Sequence, residues 1–532
     1  MIQNPILPGF NPDPSICRAG DDYFIATSTF EWYPGVQIHR SRDLVNWDLA
    51  CRPLSRPTQL DMRGNPDSGG IWAPCLSYAD GLFWLVYTDV KRLDGNFKDA
   101  HNFIVTAPSI VGPWSDPIYV SSHGFDPSLF HDDDGRKWFL VLQWNHISNS
   151  VGGHPKHPAF DGILLQEWSE ADGLIGTPKK IFSGSPHGLT EGPHLHKRNG
   201  WYYITVAEGG TGYEHAVTMA RSRTIDGPYE LHPDTHLITA KDAPDAPLQR
   251  AGHGQIVETP DGQVYHTHLC SRPLPGRFSP MGRETGIQKC EWRDDDWLYM
   301  STGSPVPEVN VPGPGDAVPR EPRKIERVFT GSRLPEEFQW LRTPYPQRLF
   351  KLTGTSLRLT GRESVGSWYE QSLVARRQEQ LAYRVETTLT RFDPATYQQA
   401  AGLTTYYNRG KFHFLAVSWN AQLGRCLTLM SCAGDWPDGR LSFPADPVAI
   451  ADGPIELAVE VRGATQQFFW RQDDASWMPF GPELDASVIS DEGGRGEHAS
   501  FTGAFVGMLA YDITGQGKTA DFSKFSYAPE GT

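Results

Sequence analysis

Several things are scarce in this chain of 532 residues, and each scarcity excludes a class of protein. No apolar stretch reaches the roughly 18 residues of a membrane-spanning helix, and no basic-then-apolar leader follows Met1, so the expected location is the cytoplasm. Cysteine is rare: the seven present are odd in number and lack CxxC spacing, which suits reduced thiols better than a disulfide framework or a zinc site. Basic residues are outnumbered, 48 Lys and Arg against 63 Asp and Glu. The resulting net charge of −15 repels polyanions and acidic membranes, so nucleic acid is not an expected partner and a neutral substrate is. There is no GxSxG elbow, no HExxH and no phosphate-binding glycine loop. Helix signals are weak throughout.

Turn and strand material is abundant instead. With 53 Gly, 43 Pro and 12% aromatics the composition suits an all-β protein, because aromatics favour strands while Gly and Pro punctuate them. The punctuation recurs. Asp13-Pro-Ser-Ile, Ala73-Pro-Cys-Leu, Asp126-Pro-Ser-Leu, Gly192-Pro-His-Leu and His253-Gly-Gln-Ile share one frame: a variable residue, Pro or Gly, any residue, then an aliphatic. An aromatic-rich run follows each, as in Gly81-Leu-Phe-Trp-Leu-Val-Tyr and Gly200-Trp-Tyr-Tyr-Ile-Thr-Val. A period of roughly 53–66 residues between such frames is the signature of a radial repeat, here a five-bladed β-propeller over residues 1–307. A propeller gathers the starts of its inner strands at one mouth, so Asp13, Asp126 and Glu191, the residue before Gly192, are expected to meet in space.

Residues 308–324, rich in Pro and Gly, read as a semi-rigid linker. Beyond it, 325–532 alternates polar and apolar residues in short runs, for example Tyr383-Arg-Val-Glu-Thr-Thr-Leu. Period-two alternation marks half-buried antiparallel strands, and a β-sandwich of jelly-roll type is the expected second domain.

Asn11-Pro-Asp13-Pro-Ser, Phe125-Asp126-Pro-Ser, Thr190-Glu191-Gly-Pro and Gly282-Arg283-Glu-Thr, followed after the linker by Phe338-Gln-Trp-Leu-Arg-Thr-Pro, together resemble a family 43 glycoside hydrolase, in particular its two-domain β-xylosidases. The resemblance covers essentially the whole chain. It implies a five-bladed propeller with an appended β-sandwich, exo-acting release of xylose from the non-reducing ends of β-1,4-xylo-oligosaccharides, and inversion at the anomeric carbon. It suggests a homodimer or homotetramer by analogy. No cofactor is required on this pattern.

Glycoside hydrolysis needs a carboxylic acid to protonate the leaving oxygen and a carboxylate to activate water or attack carbon. On the family pattern Asp13 matches the general base, Glu191 the general acid, and Asp126 the carboxylate that orients the acid and tunes its pKa. Arg283 resembles the arginine that reaches into the sugar subsite. Phe30, Trp72, Phe125 and Trp144 match aromatics that line the xylose pocket, and Phe501 a loop residue that reaches across to the propeller mouth and closes it. His253 occupies the fifth frame's equivalent position, so its ring is expected near the channel axis. There a buried structural histidine and a partner of a water-coordinated Ca2+ are equally good readings. His194, His196, His146, His154 and His157 show no zinc spacing, and Asp132-Asp-Asp134-Gly reads as a hairpin turn rather than a calcium loop. Two alternatives stay open: an α-L-arabinofuranosidase, since the same carboxylates serve either sugar, and a carbohydrate-binding propeller without catalysis.

Overall fold

A computed structural model describes residues 1–147, 158–434, 440–494 and 500–530; His154 and His157 lie outside the described residues. Among the described residues the regular structure is strand, apart from single 3-10 turns at Pro346–Arg348 and Ala486–Val488. No helix is long and apolar enough to cross a membrane.

Five antiparallel sheets follow one another along the first part of the chain. Blade 1 runs from Ser15–Ala19 to Asp48–Cys51, blade 2 from Gly70–Ala79 to Ile118–Ser121, and blade 3 from Ser128–His131 to Gly173–Phe182. Blade 4 runs from Glu191–Arg198 to Glu230–Thr239, and blade 5 from Gln249–Gly252 and Ile256–Glu258 to Leu298–Met300. Each frame residue stands at or just before an inner strand or within its first turn of chain, and the aromatic-rich run is the strand paired to it. The hairpins between them use the expected chemistry: Asp80-Gly81 and Asn199-Gly200 place both residues at positive φ, 54° and 76°, then 51° and 72°. That backbone matches strand twist, and Asn, Asp and Gly adopt it most readily.

Apolar side chains fill the wedges between neighbouring blades. Phe24, Leu76 and Phe83 join blades 1 and 2, Trp84, Phe139 and Trp168 join 2 and 3, Leu142, Ile163 and Ile204 join 3 and 4, and Tyr203, Met219 and Val264 join 4 and 5. The ring then closes on itself, because Ile16, Tyr23 and Ile25 of blade 1 pack with Val257, Tyr265 and Ile287 of blade 5. Burying each such side chain stabilises the fold by about 1.5–3 kcal/mol. Ser15 reinforces the closure: its Oγ donates to Gln255 Oε1 (2.7 Å) and accepts from the Leu76 N–H (2.9 Å). The first linker residues also take part, since Asn310–Val311 pairs with Ile2–Gln3.

Two further sheets form a sandwich. In the outer one, Ala382–Arg391 alternates buried and half-buried residues as its sequence does. In the inner one, Gln399–Asn408 is buried at every position, because one face meets the sandwich core and the other meets the propeller. Phe10, Phe30 and Trp32 pack there against Leu373, Phe414 and Phe505. The indole of Trp32 lies stacked on Phe505, 3.6 Å between centroids and 11° between planes. Trp32–Tyr33 also pairs as a strand with Trp340–Leu341, so main-chain bonds as well as packing join the two halves.

Candidate active site

The frame positions share more than a sequence pattern. Asp13 (φ 56°), Asp126 (φ 56°), Gly192 (φ 59°) and His253 (φ 47°) are all in the left-handed region, with Ala73 the exception. For a residue carrying a side chain this backbone is strained, and it persists where surrounding structure enforces it. Here it turns each side chain into the channel mouth. Gly192 could be nothing larger, since an added Cβ would lie 2.6 Å from His253 Nε2. The residue before each of two frame positions, Trp72 and Glu191, faces the same space.

The result is a cavity of about 210 Å3, walled by Asp13, Asp126 and Glu191 with Arg283 and His253, and by the rings of Phe30, Trp72, Phe125 and Phe501. That volume is below the roughly 300–1,000 Å3 of pockets for drug-sized ligands and suits a single sugar ring. The aromatic wall is continuous: Trp72 meets Phe30, Phe125 and Phe501 at 6.0, 5.2 and 5.9 Å between centroids. Trp144 stands one ring behind that wall, against Phe125 and Phe160, with its indole N–H given to the Asn96 carbonyl (2.9 Å). Phe160 takes a place on the wall itself.

Phe501 comes from the sandwich. Its N–H donates to Ser68 Oγ (3.0 Å) and its carbonyl accepts from Arg283 Nη2 (3.0 Å), so the loop is tied to the propeller on both sides. Arg283 uses its other arm on Asp13 Oδ1 (2.9 Å), and Ser28 Oγ donates to Asp13 Oδ2 (2.7 Å). His253 Nδ1 lies 3.4 Å from Asp13 Oδ1.

These contacts separate the carboxyls electrically. Burial would raise Asp13, but the Arg283 charge, His253 and Ser28 outweigh it and hold the carboxyl far below the usual range. Asp126 is driven well above that range by burial and by the charges of Glu191 and Asp13, against a smaller pull from Arg283 and the Gly192 amide. Burial and the Asp13 charge push Glu191 up to about 8, with Arg283 and Lys98 pulling the other way. The pocket therefore holds one anionic carboxylate facing a pair that retains a proton near neutrality, the separation that acid–base chemistry requires.

Lys98, His215 and Thr211 also reach the pocket, and nothing in their local sequence announces it. Lys98 lies over the faces of Trp144, Trp72 and Phe125 at 4.5, 5.7 and 5.9 Å, and burial lowers its ammonium to about 8. The other histidines fall elsewhere: His194 is buried with its ring 6.0 Å from His253, His196 lies 3.5 Å from Glu258, and His146 packs on Phe97. Asp132 to Gly135 form a hairpin turn closed by the Gly135 N–H on the Asp132 carbonyl (3.0 Å). A hard cation such as Ca2+ takes six to eight oxygens. The nearest carboxylate oxygen to His253, on Asp13, is already shared with Arg283, and among the described residues no group of three or more His, Cys, Asp or Glu is arranged to hold a metal.

Comparison with known proteins gives concordant results over the full length. Residues 2–298 match the family described as glycosyl hydrolases family 43, and 326–528 match the beta xylosidase C-terminal Concanavalin A-like domain. The chain is 54% identical to Xylosidase/arabinosidase 43B of Humicola insolens, covering 99% of this chain and 98% of that protein. It is 43% identical to the Xylan 1,3-beta-xylosidase of a Vibrio species, with 99% of each covered. The crystal structure of xylan beta-1,4-xylosidase from Bacillus halodurans C-125 superposes with a TM-score of 0.94 at 48% identity, covering 99% of this chain and 100% of that one.

Proposed function

Because this chain belongs to glycosyl hydrolases family 43 and is a glycosidase by that membership, we propose that it is an exo-acting β-xylosidase, releasing xylose from the non-reducing ends of β-1,4-xylo-oligosaccharides with inversion. The observation that carries the reading is the electrical separation of the carboxyls at one small closed pocket, Asp13 held low and Glu191 raised to about 8. Asp13, as base, takes a proton from a water while that water's oxygen bonds to the anomeric carbon. Glu191 gives its proton to the glycosidic oxygen as the bond to carbon breaks, so the leaving sugar departs as a neutral alcohol. Asp126, whose own carboxyl is raised by the charges of Glu191 and Asp13, orients Glu191 and tunes its pKa. Arg283 keeps Asp13 in place and presents its remaining N–H edge to sugar hydroxyls. The aromatic wall suits the apolar C–H faces of the ring, and Phe501 ends the pocket, which limits attack to a chain terminus.

Asp13→Ala is expected to lower kcat/KM on xylobiose by about 100- to 10,000-fold while the far-UV spectrum stays unchanged; near wild-type turnover refutes the base. Glu191→Ala should lose most activity on xylobiose and much less on a substrate with a good phenolate leaving group. Equal losses refute the acid. Proton NMR of the first-formed product should show α-xylose.

The Humicola insolens relative, a xylosidase/arabinosidase, favours α-L-arabinofuranosidase as a second activity, and the Vibrio relative, a xylan 1,3-beta-xylosidase, favours a 1,3-linkage. Parallel assays on p-nitrophenyl β-xyloside and α-arabinofuranoside, and on 1,4- and 1,3-linked xylobiose, decide both. The cytoplasm is the compartment we infer, since Cys17, Cys51, Cys75, Cys270, Cys290 and Cys426 enter no disulfide. Assembly as a dimer or tetramer is proposed by analogy and tested by light scattering.

A further inference from the structure

One buried carboxylate near the pocket has no part in that mechanism. Glu208 ends the Trp201–Glu208 strand of blade 4, is 0% exposed, and does not line the cavity. Its Oε1 accepts from the Ser185 N–H (2.7 Å) and from Thr190 Oγ1 (2.8 Å), and its Oε2 from Ser185 Oγ and Thr218 Oγ1 (2.7 Å). A buried carboxylate persists only where donors surround it, and charge-assisted bonds of this kind are the strong ones. All the donors but Thr218 belong to the segment 185–190, which runs directly into Glu191.

That segment needs holding. Leu189 (φ 56°) and Gly192 (φ 59°), on either side of Glu191, are both left-handed. The strand ladder offers little help: Glu191 is in register with Ala207, and the register then breaks before His194. Packing is tight as well, for a Cβ on Gly184 would lie 1.8 Å from Thr190 Oγ1 and 2.5 Å from Glu208 Oε1.

We propose that Glu208 is a positioning residue for the general acid: it clasps the segment 185–190 so that the Glu191 carboxyl is aimed at the glycosidic oxygen. The inference rests on Glu191 being that acid. Glu208→Gln keeps size and shape but puts an NH2 where donors point, which loosens the clasp. The expected result is a fall of about tenfold in kcat/KM on xylobiose, whose leaving oxygen must be protonated, and of less than about twofold on 2,4-dinitrophenyl β-xyloside, whose leaving group needs no acid. If Glu208→Gln does not fold, Thr190→Val, which deletes the clasped hydroxyl beside Glu191, should give the same split, and Thr190→Ser should restore activity. Equal losses on both substrates, or no loss on either, overturn the proposal. Glu191→Gln assayed alongside separates the failures: if it too loses equally on both substrates the acid assignment has failed, and if it alone shows the split only the positioning role has.

Discussion

Glu191 is kept in a state that favours chemistry over stability. Burial and the Asp13 charge lift its carboxyl from the ordinary 4.5 to about 8. Below about pH 4.5 the folded and unfolded chains both carry this proton and the site is neutral in effect. As pH rises from there toward 8 the unfolded chain releases the proton while the native one retains it, so stability falls across that window. Asp13 has the opposite sign: its folded carboxyl is held low by Arg283, His253 and Ser28 against burial, so its contribution is present above about pH 3.8 and lost in stronger acid. Glu191→Gln should therefore melt higher than the wild type at pH 8, by roughly 1 °C for each kcal/mol gained in a chain of this size, with the difference vanishing near pH 4. A gap that does not change with pH would contradict the assignment. The same group is expected to set an alkaline limb near pH 8 in the rate profile.

At the scale of the element, the repeat of Pro or Gly after a variable residue was legible in the sequence because it reports a backbone need. The left-handed turn that admits Asp13, Asp126 and His253 is the same turn that demands glycine at 192. Gly192→Ala tests this: the added methyl is strained at φ 59° and meets the His253 ring at 2.6 Å, the ring that in turn faces Asp13. Its kcat should fall at least about tenfold, with a stability loss of about 1–3 kcal/mol by chemical denaturation. An active variant would show that the ring can move without consequence. What was not legible came from surfaces that only the assembled fold creates. Gln399–Asn408 loses its alternation because the propeller covers its second face, and Lys98, His215 and Phe160 reach the pocket from positions outside the frame. Trp144, expected on the pocket wall by resemblance, stands behind it against Phe125 and Phe160, and Phe160 lines the wall. Glu208 left a faint trace, the one charge in the Trp201–Glu208 strand, closing it before Gly209-Gly210.

Across the whole molecule, the pocket is completed by a domain that contributes none of the three carboxylates, so its closure depends on how that domain is pinned. A buried chain of polar contacts does this. Arg250 of blade 5 gives Nη1 to Asp491 Oδ2 (2.7 Å) and Nε to the carbonyl of Thr211, a pocket residue (2.8 Å). Asp491, 0% exposed, accepts on its other oxygen from Tyr407 OH, and that hydroxyl accepts the Thr502 N–H (3.0 Å) next to Phe501. Cutting such a chain at its centre should move the wall rather than the carboxyls. Asp491→Asn is the gentlest cut, because Glu492 still lies 3.3 Å from Arg250 and supplies a counter-charge. A lost charge-assisted bond costs about 1.5–3 kcal/mol, and a tenfold change in apparent affinity corresponds to about 1.4 kcal/mol. The expected outcome is a KM for xylobiose raised about tenfold with kcat less affected, together with a lower melting temperature. Phe501→Ala, which removes the wall and leaves the pin intact, should raise KM in the same way with little change in melting. If Asp491→Asn lowers the melting temperature while KM stays unchanged, the pin serves stability alone and the closed end of the pocket has another support.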